Sequence, residues 1–503
     1  MVTKNDSIIE TKLKRDVLSR FDRTREVLLV FPGKYNSPNP QVPLSLLHLA
    51  SFLIKSGYCV RIMDMRLENL NGFKIEKPLF VGISSIHGSQ IRYGLEFAKQ
   101  VRSSDSSVPI VWGGVHPTLL PEQTVANEYV DIVVRGEGEQ TLQELADKFW
   151  VEKPIDEIKG ITFKSTGTIK STPDRELMDL DKIPINLPFD LLLLKKYPTL
   201  KAGRFHIQTS RGCPHNCGFC YNTVYNKRIW RGKSAYRVVD EMEYILEKFP
   251  HVKIIDPIDD NFFVDQRRVV DICQEMLNRK IEVNWRANCR FDYMSTYGKD
   301  FIELLAKSGC NEIDFGGETA SERLQSFINK DVTTEQIIRS VENLKKWAPS
   351  IEPFVSWMSG LPTETEDDLM KTCDLMDRMS EVNPKTQHYG VFLYTPFPSP
   401  ILDSLGPEFK PPQSFGEWGK AEVFHFKPPW HSKQYVSKLQ DVSTVSIYAF
   451  YPRARVSERR FYYRLGYGLL NKIAKYRWKH RYFRYPVELK LASAALRKRR
   501  EYL

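Results

Sequence analysis

The chain's absences narrow its class before any motif is read. Only eight cysteines occur in 503 residues, and five of them stand singly at Cys59, Cys273, Cys289, Cys310 and Cys373. That pattern excludes a disulfide framework. No run of eighteen uncharged apolar residues occurs, so no membrane-spanning helix is expected. The N-terminal MVTKNDSIIETKLKRD has charges where a signal peptide needs its apolar core, and a cytoplasmic, reducing and anoxic setting is expected. No G-x-G-x-x-G follows the first predicted strand, which argues against a nicotinamide site. Acids are scarce near the end: residues 451–503 carry sixteen Lys and Arg against three acids, a net charge of +13. The whole chain is +11, so the first 450 residues are nearly balanced at −2. The length accommodates two to four domains.

What the sequence does have is concentrated at residues 208–222, QTSRGCPHNCGFCYN, where Cys213, Cys217 and Cys220 follow the spacing C-x3-C-x2-C. Three thiolates hold three irons of a cubane and leave the fourth open to bind something else. A closed zinc site is the alternative, and it needs a fourth ligand. His215 is the nearby candidate, strained by its place inside the cysteine loop. With Phe219 before the last cysteine, and Gly212 and Pro214 around the first, the segment resembles the radical S-adenosylmethionine (SAM) superfamily. That resemblance implies a [4Fe-4S] cluster whose open iron chelates the amino and carboxylate groups of SAM. It also implies a 5′-deoxyadenosyl radical as the product of SAM cleavage.

After a polar leader over residues 1–25, strand-like runs (27–32, 58–65, 78–85, 108–114, 130–136) alternate with helix-length stretches such as PLSLLHLASFLIKSG. This predicts a doubly wound, flavodoxin-like α/β domain over residues 26–150. Ligands of such sheets bind at the carboxyl ends of the strands. Those ends read Ser84-Ser85, Gly113-Gly114-Val115-His116-Pro117 and Gly136-Glu137-Gly138. The order WGGVHPTLLPE then VVRGEGE resembles the cobalamin-binding domain ahead of the radical SAM domain in class B enzymes. The resemblance implies cobalamin contacts from Ser84, Ser85, Gly113, Gly114, His116, Gly136, Glu137 and Gly138. The D-x-H-x-x-G motif that supplies a cobalt-ligating histidine elsewhere is absent, so cobalt is expected without a protein imidazole. His116 is expected to pack against the cofactor instead. A cofactor-free scaffold is the alternative.

Residues 151–198 read as a linker containing a hairpin, GITFKSTGTIKS. Residues 199–400 repeat a strand and an amphipathic helix about six times, predicting a partial (βα)6 barrel with its active groups at the C-terminal strand ends. Similarity to the superfamily extends to those ends and implies SAM contacts from Phe219, Asp259, Asp260, Arg290, Glu318, Ser356, Gly360 and Glu364. The turn SGLPTETE carries Thr363 where relatives have Gly. Phe262, Phe263, Trp285, Trp357 and Tyr394 are candidate walls of a dry cavity, with barrel core as the equal alternative.

Residues 401–503 read as a basic, aromatic-rich C-terminal region. Tyr462, Leu465, Leu469, Ile473 and Tyr476 fall at helical spacing, with Lys472, Lys475, Arg477, Lys479 and Arg481 on the other faces. The stripe predicts a helix lying on an anionic membrane surface, here the inner membrane face, and a solvated basic helix is the alternative. Nucleic acid is not the expected partner. The leading expectation is a cobalamin-dependent radical SAM enzyme that methylates an unactivated carbon of a hydrophobic or membrane-associated substrate. A flavodoxin or ferredoxin would act as its reductant. The second expectation is a ring-former of the anaerobic porphyrin-ester cyclase type; an RNA-modifying methylthiotransferase is disfavoured because the first domain has only Cys59, and a non-catalytic corrinoid-binding protein is the remaining option.

Overall fold

A computed structural model describes residues 23–37, 39–70, 77–421, 426–450 and 461–498. The chain divides into two compact units: the residues to Lys201 with Pro412–Glu422, and Ala202–Pro411 with Val423 onward. The predicted leader lies outside the described residues except for its last three, which begin β1.

The first unit is built on seven strands: β1 (Arg23–Phe31), β2 (Tyr58–Asp64), β3 (Phe80–Ser84), β4 (Ile110–Gly113), β5 (Ile132–Val134), β6 (Ile161–Ser165) and β7 (Thr168–Ser171). Their spatial order is β2-β1-β3-β4-β5-β6-β7. The first five run parallel in the flavodoxin-type order. Val27–Val30, Phe80, Val81 and Ile110–Trp112 are almost wholly buried, as expected of parallel strands covered by helices on both faces. Those helices include α1 (Leu44–Lys55), α2 (Ser89–Ser104) and α3 (Glu139–Trp150).

Two sequence expectations need correcting. The stretch read as a linker is part of the first unit, because its hairpin, β6 and β7, pairs antiparallel with β5 and extends the sheet. Its polar composition reflects an edge: every residue of β7 is exposed. The rest of the stretch is fastened by Tyr197, whose hydroxyl donates to Asp64 Oδ2 at 2.8 Å. The basic C-terminal region is likewise not separate. Pro412–Glu422 returns to the first unit and the remainder belongs to the second.

The second unit carries β8 (Arg204–Ile207), the short pair β9 (Ser210–Arg211) and β10 (Arg231–Gly232), then β11 (Ile254–Pro257), β12 (Asn284–Cys289), β13 (Cys310–Glu318), β14 (Glu352–Ser359) and β15 (Gln387–Leu393). Six of these form one parallel sheet in the order β15-β14-β13-β12-β11-β8. Helices α4 (Ala235–Lys248), α5 (Gln266–Asn278), α6 (Lys299–Lys307), α7 (Thr334–Trp347) and α8 (Glu366–Val382) lie between successive strands. Ser234, Asp265, Thr333 and Thr365 start α4, α5, α7 and α8 by accepting a backbone N–H with their side chains. Helix α9 (Lys433–Phe450) covers the edge strand β15, and its Ser446 hydroxyl accepts from Val391 N at 2.9 Å. Such cover suppresses pairing with other chains. Helices α10 (Phe461–Lys479) and α11 (Val487–Lys498) complete the unit.

Candidate radical and corrinoid site

The cysteine loop is an excursion of a small hairpin whose arms, β9 and β10, pair antiparallel. Asp259 fixes the first arm: its carboxylate accepts from Thr209 N (2.7 Å), Thr209 Oγ1 (2.5 Å) and Ser210 Oγ (2.6 Å). Arg268 bridges both arms, donating to Lys233 O (2.6 Å) and Thr209 O (2.9 Å). Gly212, at φ +89°, passes so close to Ile229 O that any Cβ would collide. Gly218 donates to Ile328 O at 2.8 Å and accepts from Ile401 N at 2.9 Å, which seats the loop on the β13–α7 connection.

Donors point at the sulfurs. Arg290 Nη1 lies 3.4 Å from Cys217 Sγ and Asn261 Nδ2 lies 3.8 Å from Cys213 Sγ. Burial pushes the Cys220 thiol up to about 12, so the cations of a cluster would have to ionise it. Three thiols with N–H donors aimed at two of them fit a [4Fe-4S] cluster, whose sulfurs take such bonds. His215 does not act as a fourth ligand in the described arrangement. Its Nε2 is hydrogen-bonded to Tyr293 Oη at 2.7 Å.

The structure sorts the SAM candidates. Asp259 is spent on the hairpin, a correction to its assignment as a ligand contact, because a carboxylate bonded to three local donors has little left to offer. Asp260 likewise accepts from Gly212 N at 3.1 Å and from the Asn222 and Tyr221 side chains, and burial raises the pKa of its carboxyl group. Arg290 is bound to Asp292 (3.0 Å), to Lys330 O (2.7 Å) and to the Cys217 sulfur. Its guanidinium therefore serves the cluster loop. Phe219 packs on the core of Leu324, Ile328, Leu361 and Tyr394. Glu318, at φ +60°, ends β13 and accepts from Lys330 Nζ at 2.9 Å. Ser356 lies beside Gly316 in register, half-buried. Sequence reasoning missed Lys330. Burial lowers the pKa of its ammonium, but Glu318 and the nearby Cys217 outweigh that and hold it charged.

Of the two readings of the aromatics, cavity wall and barrel core, four residues take the second. Phe262, Phe263, Trp285 and Trp357 are at most 1% exposed, and Trp285 Nε1 donates to Ser308 O at the end of α6. They are core: Trp285 and Trp357 alternate along β12 and β14 with residues of the other face, and Phe262 and Phe263 lie in the short turn after β11. That other face is polar: Arg286 reaches Asp256 (2.7 Å), Glu312 (2.5 Å) and Asp314 (3.1 Å). Tyr389 donates to Asp314 at 2.5 Å.

In the SGLPTETE turn, position 363 would suit Gly better than Thr. Thr363 sits at φ +64°, a strained conformation for a β-branched residue, and Arg323 holds it through Oγ1 (2.8 Å) and O (2.9 Å). Gly360 N (2.8 Å) and Leu361 N (3.4 Å) donate to Glu364, and so does Tyr435 Oη (3.1 Å). The Glu364 carboxylate thus closes its own turn, and the Gly360 and Leu361 carbonyls accept from Trp430 Nε1 at 3.0 Å and His431 Nε2 at 2.9 Å. Burial pushes Glu364 up to about 7, against the downward pull of those three donors. A raised carboxyl pKa means that folding favours the protonated form. Its stabilisation is complete below pH 4.5 and lost as pH rises through 7, a swing of about 3 kcal/mol. Glu364→Gln is expected to match wild type near pH 5 and to be more stable by roughly 2–3 kcal/mol at pH 8. Thermal unfolding across pH checks this, and equal stability at pH 8 would refute it.

In the first unit Ser84, Gly113, Gly114, Gly136 and Gly138 come together at the ends of β3, β4 and β5, all half-buried. Gly114, at φ +97°, runs so close that a Cβ would meet Ser85 O at 2.6 Å. Gly136, at φ +70°, faces open space. A bare backbone edge of this kind fits close approach by a large planar group. Glu137 is half-buried, and its carboxylate accepts from Met178 N at 3.1 Å. Buried Ser85 has an unpartnered hydroxyl. His116 is corrected as well. It is fully buried against His87, Phe415 and Trp418, ring centroids 6.2, 5.5 and 5.3 Å away. The returning segment occupies the place where the imidazole was expected to meet a cofactor.

Comparison with known proteins agrees with this geometry. The B12 binding domain family matches residues 35–146 and the Radical SAM superfamily matches residues 207–376. An uncharacterized methyltransferase, PH0819, of Pyrococcus horikoshii is 31% identical over 363 residues, covering 70% of this chain and 77% of that protein. An anaerobic magnesium-protoporphyrin IX monomethyl ester cyclase of Rubrivivax gelatinosus is 27% identical over 426 residues, covering 80% of this chain and 71% of the cyclase. Among solved structures, the cobalamin-dependent SAM radical enzyme OxsB with aqua-cobalamin bound superposes with a TM-score of 0.70 at 18% identity. It covers 97% of this chain and 77% of that one, a likeness of fold.

Proposed function

Because the chain belongs to the cobalamin-dependent, class B radical SAM enzymes, we propose that it is a C-methyltransferase acting on an amphiphilic substrate. One observation carries the chemistry: three cysteine thiols are held at the strand ends beside Arg290 and the Glu318–Lys330 pair. A bound cluster would supply the electron that cleaves SAM, and a bound cobalamin would carry the methyl group.

The chain's own residues do the rest. Arg290 and Asn261 donate toward the cluster sulfurs. Lys330 offers a charged donor suited to a carboxylate. SAM carries one. The polar barrel face around Arg286, Asp314 and Tyr389 would take a polar substrate group. Anaerobic reconstitution with SAM, cobalamin and reductant tests the reading. Equal amounts of 5′-deoxyadenosine and S-adenosylhomocysteine are expected. Deoxyadenosine alone would favour ring formation, the reading supported by similarity to the cyclase.

The substrate's apolar part is inferred from the tail, where the predicted stripe lies opposite a buried face. Tyr467, Asn471, Ala474 and Trp478 form the buried face of α10. The side chains of Tyr462 and Leu465 lie outside the described residues. Leu469 and Tyr476 are 62% and 65% exposed. Tyr482, Tyr485 and Leu491 are exposed with them, beside exposed Lys472, Lys475 and Lys479. Arg477 is tied to Glu488, and Arg481 to Asp374 and Asp377. No described helix is long and apolar enough to cross a membrane. An apolar, aromatic and cationic surface suits peripheral binding to anionic lipid, with roughly 1 kcal/mol per nearby cation. The protein is expected to co-sediment with anionic liposomes at low salt and to release at high salt. Tyr476→Ala/Leu491→Ala should weaken the binding, and no change in sedimentation would refute the membrane reading.

A further inference from the structure

We infer that Tyr293 is a positioning residue that keeps His215 off the open iron, so that this iron stays available to SAM; the inference rests on the cluster reading above. His215 stands midway between Cys213 and Cys217, inside the loop that would hold the irons. Its backbone N–H donates to the Cys213 sulfur, so the imidazole is carried by a residue already against the cluster ligands. An imidazole is a ready ligand for iron, and three thiolates leave one iron open. The strained closure that argues against a shared zinc does not apply to that iron, because it is a different corner of the cubane from the one Cys213 holds.

The hydrogen bond to Tyr293 holds the ring. His215 Nε2 and Tyr293 Oη lie 2.7 Å apart, and the two rings meet edge to face with their centroids 5.6 Å apart. In either tautomer Nε2 is occupied, and fixing the ring plane fixes the direction of Nδ1 as well.

Tyr293 is itself firmly mounted, on the short helix Phe291–Thr296 that follows β12. Phe291 is fully buried and stacks on Phe315 of β13 with centroids 4.3 Å apart. Ser340 and Asn343 of α7 donate to Phe291 O (2.8 Å) and Met294 O (3.2 Å). The Tyr293 ring stacks on Tyr297 at 5.9 Å and 8°, and the Tyr297 hydroxyl donates to Phe263 O at 2.7 Å. Just before this helix comes Arg290, which reaches the Cys217 sulfur. One segment thus grips the Cys213–Cys217 arc twice. The Arg290 contact serves a thiol; the Tyr293 contact serves no thiol, and what it sets is the direction of the imidazole.

Tyr293→Phe keeps the packing and removes only the hydroxyl. For the test, full-length protein carrying isotopically labelled histidine is reconstituted with iron and sulfide, reduced, and examined without SAM by pulsed electron paramagnetic resonance. SAM affinity is measured by equilibrium dialysis. Wild type should show no histidine nitrogen coupling. Tyr293→Phe should retain iron, show that coupling and bind SAM about tenfold or more weakly, the loss expected when the open-iron state is only about a tenth populated. Tyr293→Phe/His215→Ala should lose the coupling and bind SAM within about twofold of wild type, a recovery that a merely loosened loop would not give. Iron lost from Tyr293→Phe, no coupling in it, unchanged SAM affinity, or a double variant that stays weak would each overturn the inference. So would histidine coupling in the wild type. Wild-type protein that takes up iron and sulfide but binds no SAM would overturn the radical SAM reading of the cluster, and this inference with it.

Discussion

Alanine at any one of Cys213, Cys217 or Cys220 is expected to abolish both the visible absorbance of the cluster and all cleavage of SAM. Two thiolates do not retain a four-iron cubane. The surroundings offer no substitute: His215 is committed to Tyr293. Cys273, Cys289, Cys310 and Cys373 are buried elsewhere as free thiols, and Cys59 is exposed on β2. Cys59→Ser and Cys373→Ala therefore serve as controls that should keep full iron content. Iron analysis and deoxyadenosine yield check the prediction. Wild-type iron in any of the three loop variants would refute it.

The parts of the site legible in the sequence are those whose information is local. The cysteine spacing is a fifteen-residue signal, and the alternation of apolar strands with helices announces the flavodoxin-type sheet because parallel strands buried on both faces are nearly all apolar. The parts that were not legible depend on pairs distant along the chain. Nothing local separates Asp259, which clamps Thr209 fifty residues earlier, from Asp260 beside it. Lys330 looks like a surface lysine until the fold brings it to Glu318. Whether Trp285 and Trp357 wall a cavity or fill the core is open in the sequence, because strand alternation fixes two faces without saying which one meets the helices.

The tail shows the same limit differently. Helical spacing joins Leu469, Ile473 and Tyr476 as readily as it joins Tyr467, Asn471, Ala474 and Trp478. The second set packs inward because Trp478 Nε1 finds Asp377 at 2.8 Å and Asn471 finds Tyr448 O at 2.7 Å. Buried polar groups with partners decided the face, and a hydrophobicity pattern carries no partners.

Lys330→Met is expected to destabilise the second unit by about 3–5 kcal/mol, the usual cost of leaving one member of a buried ion pair alone. Only 8% of the Lys330 side chain and 13% of the Glu318 side chain are exposed, so water cannot replace the lost ammonium. The positive φ of Glu318 holds its carboxylate over Gly316 and so limits its escape. Glu318→Gln/Lys330→Met removes both charges and should recover most of that stability, since a buried pair contributes little over neutral groups of similar shape. A purely structural pair would then leave SAM binding intact. If Lys330 instead meets the SAM carboxylate, the double variant should fold, retain iron at the wild-type level and bind SAM at least tenfold more weakly, the loss of one charge-assisted hydrogen bond at about 1.5–3 kcal/mol. Calorimetric unfolding with SAM titration separates these outcomes. A stable Lys330→Met variant would refute the ion-pair argument, and a double variant with wild-type SAM affinity would remove Lys330 from the binding site.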